Sequence, residues 1–113
     1  MRNVEIAVRL ASGTPPPRGT VTLRAQVEEI TAADAPARVV SRATERGVDL
    51  TAAPRLTLEV PPPDPRARYT VRVHADVDGS GAVAPEDFVS VRDNPVSARG
   101  CPDAIVVEVR PAG

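Results

Sequence analysis

The chain has 113 residues, of which 42% are hydrophobic and 2% are aromatic, and its formal net charge is -1. This length suits a single domain with one hydrophobic core, and no stretch approaches the roughly 18 apolar residues of a membrane-spanning helix. The 14 basic residues are all arginines, spread along the chain without a basic stripe, which argues against nucleic-acid binding.

Apolar and polar residues alternate from the start of the chain. In the segment VEIAVRL, Val4, Ile6 and Val8 share one face, whereas Glu5 and Arg9 point the other way. A period of two residues is typical of a half-buried strand. The same pattern recurs along the chain and predicts about seven strands. They lie near residues 3–10, 20–28, 37–45, 55–60, 68–77, 87–92 and 104–110.

Segments rich in proline and glycine separate these runs, among them SGTPPPRG, PPPDPRA and DNPV. Proline cannot donate a hydrogen bond to a sheet, so each of these segments is expected to end a strand. No long segment has helical periodicity, although residues 31–35 and 84–87 each fit a single helical turn. The sequence therefore predicts an all-β protein, a single-domain antiparallel β-sandwich.

The order of several segments points to a known family. A proline loop at 15–17 precedes the strand VTL at 21–23, the segment ADAPARVV follows at 33–40, and NPV at 94–96 precedes the last apolar strand. This order, over residues 4 to 110, resembles the YbaY-like lipoprotein family, which is related to the YscW-type pilotins of type III secretion. The resemblance implies a small β-sandwich with a role in binding or assembly at the cell envelope. It implies no catalytic residues.

The chain departs from that family in two respects. Its N-terminus, MRNVEIAVRL, has neither the apolar segment of a signal peptide nor a cleavage site, and Cys101 lies just before the last strand. As given, the chain is predicted to be soluble and cytoplasmic, whereas the resemblance implies the cell envelope if a leader was removed. The second departure is a longer hairpin between the segments YTVRV and FVSV.

That hairpin contains the sequence DVDGSGAVAPED at residues 76–87. Calcium loops of the EF-hand kind take ligands from positions 1, 3, 5, 7 and 12 and carry glycine at position 6. Gly81 occupies position 6 here. The spacing therefore predicts a Ca²⁺ site. Its ligands would be Asp76, Asp78, Ser80, the carbonyl of Ala82, and Asp87.

Other features of the hairpin favour weak binding or none. Aspartate replaces glutamate at position 12, serine occupies position 5, and no helices flank the loop, so an affinity on the order of 10⁻⁴–10⁻³ M is expected. The alternative is that Asp78-Gly79 and Ser80-Gly81 form only a wide turn, since aspartate and glycine tolerate positive φ. Pro85 would then open one helical turn.

The remaining candidates for chemistry are few. His74 is the only histidine and is predicted to lie on the surface, because zinc requires three or four ligands that the sequence does not supply. A triad could be drawn from Ser90 or Ser97 with His74 and Asp93, but neither serine lies in a nucleophile elbow. The chain is therefore predicted not to be an enzyme.

Two functional hypotheses follow. The first is a non-enzymatic binding module in which Ca²⁺ orders the hairpin loop. The second is a metal-free, pilotin-like accessory domain that binds a protein partner through an exposed strand edge or an apolar patch. A hydrolase that uses a serine and His74 is a weaker third hypothesis.

Overall fold

The computed structural model describes residues 2–30, 38–60, 68–90 and 104–113. Within these ranges, seven strands and one short helix form the secondary structure. A 3-10 helix covers Leu50–Ala52, and the side chain of Asp49 caps it by accepting a hydrogen bond from the Thr51 amide at 2.9 Å. The strands are β1 (Arg2–Leu10), β2 (Val21–Ile30), β3 (Arg38–Val48), β4 (Arg55–Val60), β5 (Arg68–Asp76), β6 (Phe88–Ser90) and β7 (Ala104–Pro111).

The strands join into one sheet in the order β3-β2-β5-β6-β7-β1-β4. Every described pair is antiparallel except β1 and β7, which run parallel with Ile6 opposite Ile105. Strands β3 and β4 occupy the two ends of this order and also contact each other. The sheet therefore curls until its edge strands touch, and it encloses an apolar interior.

The interior is built from the alternating residues of the strands. On β1, Val4, Ile6 and Val8 are fully buried, and Leu58 and Val60 of β4 pack into the same cluster. Valine, leucine and isoleucine dominate this cluster, as expected where β-branched side chains stand on a pleated surface. Burial of such side chains stabilises the fold by about 1.5–3 kcal/mol each. The core therefore supplies the rigid support on which the hairpin loop lies.

The predicted all-β fold is confirmed, with three differences in detail. A β-sandwich has two separate sheets, whereas here all seven strands belong to one continuous sheet. In addition, β1 and β7 run parallel, although the prediction was antiparallel. Strand β3 also runs further than predicted, to Val48, through a register shift near Gly47, whose φ is +67°. Glycine reaches this backbone conformation at little cost, so the strand continues past an irregularity.

The two predicted helical turns have different outcomes. The amide of Asp87 donates a hydrogen bond to the Ala84 carbonyl at 3.0 Å, which closes the predicted turn at 84–87. The predicted turn at 31–35 lies outside the described residues. Strand β6 begins at Phe88, and the residues predicted to continue it, 91 and 92, also lie outside the described part of the chain.

Candidate functional site

The candidate site is the loop between β5, which ends at Asp76, and β6, which begins at Phe88. Residues 70, 72, 74 and 76 alternate with the core residues of β5 and were expected to face solvent. Asp76 nevertheless has no exposed surface, and Asp87 at the other end of the loop has none either. The loop therefore folds back over the end of its own hairpin and buries two carboxylates.

Asp76 is surrounded by hydrogen-bond donors. Its Oδ1 accepts a hydrogen bond from the Gly79 amide at 3.0 Å, and its Oδ2 accepts one from the Gly81 amide at 2.7 Å. The Nε of Arg24, on the neighbouring strand β2, lies 3.3 Å from the same Oδ2. Both glycines have positive φ, of +72° and +86°, which lets the chain turn tightly enough to aim its amides inward.

Asp87 is held in the same manner from the other end of the loop. Its Oδ1 accepts a hydrogen bond from the Val77 amide at 2.9 Å, and its Oδ2 accepts one from the Ala84 amide at 3.0 Å. The Nε2 of His74 lies 2.8 Å from Oδ2 and donates to it. The loop is thus tied to strand β5 through a histidine that the sequence had placed on the surface.

These contacts lower the pKa of both Asp76 and Asp87. Burial of Asp76 acts to raise its pKa, but hydrogen bonds from the Gly81 amide and the Arg24 guanidinium outweigh burial and hold the pKa below its ordinary value. The pKa of Asp87 is likewise lowered, because hydrogen bonds from His74 and from the amides of Val77 and Ala84 outweigh the burial of its carboxyl. Both groups are therefore held as carboxylates.

The other predicted calcium ligands lie nearer the tip of the loop, where they are exposed. Asp78 accepts a hydrogen bond from the Ser80 amide at 3.0 Å and lies beside Asp76. The hydroxyl of Ser80 donates to the Ala82 carbonyl and accepts from the Ala82 amide, each at 3.3 Å. The structure therefore brings Asp76 and Asp87 together with His74, whereas Asp78, Ser80 and Ala82 lie at the exposed tip of the loop.

His74 is the functional residue that the sequence reasoning missed. Among the described residues, its ring nitrogen and one carboxylate oxygen from each of Asp76 and Asp87 lie within 4.8 Å of one another. Its side chain is 16% exposed, so it is partly buried and not a free surface residue as predicted. Strand alternation did contain a signal for this contact, since residues 74 and 76 of β5 share a face. A loop that folds back over that face brings its own acidic residue close to His74.

The triad that could be drawn from the sequence, and was not predicted, does not assemble among the described residues. The carboxylate beside His74 belongs to Asp87, and the hydroxyl of Ser90 accepts a hydrogen bond from the Val73 amide at 2.9 Å. Ser97 and Asp93 lie outside the described residues, as does Cys101. The contacts of His74 and Ser90 thus have structural roles in joining β5 to β6 and to the loop.

A second polar feature lies beside the loop, on the outer face of β3, β2 and β5. It is a groove of about 460 Å³, which we call the arginine groove. Residues from the three strands and from the tip of the loop line it. They include Arg24, Gln26, Arg42, Thr44, Arg72, His74, Gly81 and Val83.

Comparison with known proteins yields one likeness at the level of the fold. No protein-family model and no curated protein matches the chain. Its structure is similar to that of an alternative pilotin from the type II secretion system of Vibrio cholerae, with a TM-score of 0.76 and 14% sequence identity. The likeness covers 99% of this chain and 97% of the pilotin. The fold is therefore pilotin-like, and the YbaY-like assignment stays a prediction.

Membrane-spanning helices were also predicted to be absent. Across residues 2–30, 38–60, 68–90 and 104–113, no helix is long and apolar enough to cross a membrane.

Proposed function

We propose that this chain is a non-enzymatic accessory module that binds a protein partner at the cell envelope. The observation that carries the proposal is the likeness to a pilotin over nearly the whole length of both chains. The match covers almost all of both folds. A shared fold does not by itself assign a function, so the site must support the proposal separately.

The contacts of the polar residues support a binding role over a catalytic one. His74 and Ser90, the two described residues of the hydrolase hypothesis, are engaged with Asp87 and with a backbone amide. A general base must instead reach the proton of a nucleophile. Meanwhile β3 lies at one end of the strand order, where an edge can receive a further strand.

The proposal is tested by cross-linking in the cells that make the protein. A photo-activated residue in place of Ser41 on β3 should cross-link to one defined protein, and a matched residue in place of Asn3 on β1 should not. Deletion of the gene should then reduce the assembly of that protein in the envelope fraction. Normal assembly of every cross-linked protein in the deletion strain would contradict the proposal.

Calcium binding by the loop is a second candidate function, supported by the approach of Asp76 and Asp87 to within 4.8 Å and by the position of Asp78 beside Asp76. The negative charge of Asp87 acts to raise the pKa of Asp76, so these two buried carboxylates repel each other. An ion would add to oxygens that already accept amide hydrogens. It would also replace the contact between Ser80 and the Ala82 carbonyl.

The fit to a cation is partial for a physical reason. Calcium requires six to eight oxygen ligands, and the loop offers three carboxylates, one hydroxyl and one carbonyl, with water to complete the set. The amides of Gly79, Gly81, Val77 and Ala84 already offset the repulsion between the buried carboxylates. The loop is therefore able to close without an ion, and we propose that Ca²⁺ adds stability to it.

The calcium proposal is tested by thermal unfolding in Ca²⁺ and in EDTA. At 100 times Kd, Ca²⁺ should raise the free energy of unfolding by about 2.7 kcal/mol. Asp78→Ala, which alters an exposed ligand, should abolish the shift, and Asp49→Ala, far from the loop in sequence, should retain it. If Ca²⁺ shifts neither the native chain nor the Asp49→Ala variant, the calcium proposal fails and the accessory role stands.

A further inference from the structure

The arginine groove has an ordered arrangement of polar side chains. In the register of the sheet, Gln26 of β2 lies opposite Arg42 of β3 and opposite Arg72 of β5. One row further along, Arg24 lies opposite Thr44 and opposite His74. Directly opposed residues project to the same face about 5 Å apart, so the three arginines line one outer surface.

The positive charge of this surface is only partly compensated within the chain. Arg24 interacts with the buried carboxylate of Asp76, and the Nε of Arg72 lies 2.8 Å from Oε1 of Glu28. Among the described residues, Arg42 makes no ion pair, and no acidic side chain lines the groove. The groove therefore presents an exposed guanidinium that a carboxylate from another molecule can reach.

The groove also continues onto a strand edge. A second depression, of about 390 Å³, is lined by Val39, Val40, Ser41 and Arg42, and it shares Arg42 with the arginine groove. Within the described part of the chain, β3 pairs with β2 on one side and forms no ladder on the other, where it contacts β4. The described lining of the second depression comes from residues 39–42 of β3 and includes no residue of β4, so the edge is open at this part of the strand. Here β3 can accept an extended segment as an additional strand.

We propose that the partner of this module presents an extended acidic segment, which pairs with the outer edge of β3 and places a carboxylate opposite Arg42. This inference rests on the proposed function, since it describes the partner that the module binds. A residue opposite Arg42 in an added strand would lie about 5 Å away on the same face. A guanidinium binds a carboxylate through two parallel hydrogen bonds, which favours aspartate or glutamate there.

The charge and composition of the chain disfavour other anionic partners. Single-stranded nucleic acid requires aromatic stacking platforms beside a basic groove, and none of the described residues that line this groove is aromatic. An anionic membrane attracts clusters of several basic residues, whereas two of these three arginines already interact with acids of the chain. An acidic peptide uses both the free guanidinium and the strand edge.

The proposal is tested with synthetic peptides of alternating glutamate and threonine. A length of about twelve residues matches the eleven residues of β3. The acidic peptide should bind the full chain measurably, and a peptide with glutamine at every glutamate position should bind at least about fivefold more weakly. Fluorescence anisotropy at low and high salt measures both affinities.

Two variants locate the binding surface. Arg42→Gln should weaken binding of the acidic peptide about fivefold, and Arg42→Glu should weaken it further through repulsion. The matched control is Arg9→Gln, which removes the same charge on β1, where Arg9 contacts Glu108. It should change the affinity by less than about twofold.

Several results would overturn the proposal. These are equal binding of the two peptides, equal effects of the Arg42 and Arg9 variants, or no binding of the acidic peptide up to about 1 mM. Binding to phosphatidylglycerol vesicles without binding to the peptide would assign the groove to membranes instead. If a cross-linked partner is found but Arg42→Glu binds it normally, the acidic-segment inference fails while the proposed function stands.

Discussion

The hairpin loop and the arginine groove lie side by side, and they differ in whether their charged side chains are buried and paired. In the loop, Asp76 and Asp87 are fully buried, and each of their carboxylate oxygens accepts at least one hydrogen bond from a described donor. In the groove, Arg42 is exposed and makes no ion pair among the described residues. Arg24 joins the two regions, since it lines the groove and contacts Asp76.

This difference separates a structural use of charge from a binding use. A buried charge with all its partners inside the chain stabilises one conformation, and removing it leaves buried donors unsatisfied. An exposed charge without a partner contributes little to stability and is available to another molecule. The loop is therefore expected to determine stability, whereas the groove is expected to determine affinity.

The largest effect is expected from Asp76→Ala. This change leaves the amides of Gly79 and Gly81 without their acceptor and Arg24 without its carboxylate. Unfolding by urea should show a loss of about 3 kcal/mol or more. The exposed Asp78→Ala should cost about 1 kcal/mol or less. Equal losses would show that burial does not distinguish the two aspartates.

Lowering the pH should weaken the same contacts without a substitution, because acid protonates the two buried carboxylates. The folded pKa of both Asp76 and Asp87 lies below the ordinary value, so their contribution is present above the unfolded pKa, about 3.9, and is lost as pH falls through the folded pKa. The free energy of unfolding, measured in urea, should therefore decline below about pH 4. The Asp87→Asn variant should show a shallower decline, and a slope identical to that of the native chain would contradict this assignment.

The smallest effects are expected at the arginines. Arg24→Gln removes a partner of a buried carboxylate and should cost about 1 kcal/mol in free energy of unfolding. The free energy of unfolding of Arg42→Gln should stay within about 0.5 kcal/mol of that of the native chain, because Arg42 is exposed and makes no ion pair among the described residues. Urea denaturation of the two variants in parallel measures the difference. A greater loss for Arg42→Gln would show that the groove is a structural feature.

Much of the fold was predictable because strand burial follows local alternation. Val4, Ile6 and Val8 are buried as their spacing predicted, and the strand positions agree to within a few residues. The parallel pairing of β1 with β7 was not predictable, since no local pattern tells a strand which distant partner it will adopt. Alternation alone also could not show that the sheet curls until β3 and β4 touch.

The position of the candidate site in the chain was predictable, but the burial and the contacts of its residues were only partly so. The spacing of the aspartates identified the loop, and the glycines at 79 and 81 adopt the positive φ expected of them. The burial of Asp76 could not be inferred, because it depends on amides that approach only when the loop folds back across β5. The partnership of His74 with Asp87 depends on the same closure. The arginine groove combines the consecutive strands β2 and β3 with β5, which lies further along the chain.

The most direct test of the binding account is to map the acidic peptide on the protein by NMR. The amide signals of Val40, Arg42 and Thr44 on β3 should shift as the glutamate peptide is added, and those of β1 and β7 should not. The glutamine peptide should produce smaller shifts at the same residues. Shifts confined to β1 and β7, or an unchanged β3 at saturating peptide, would contradict the account.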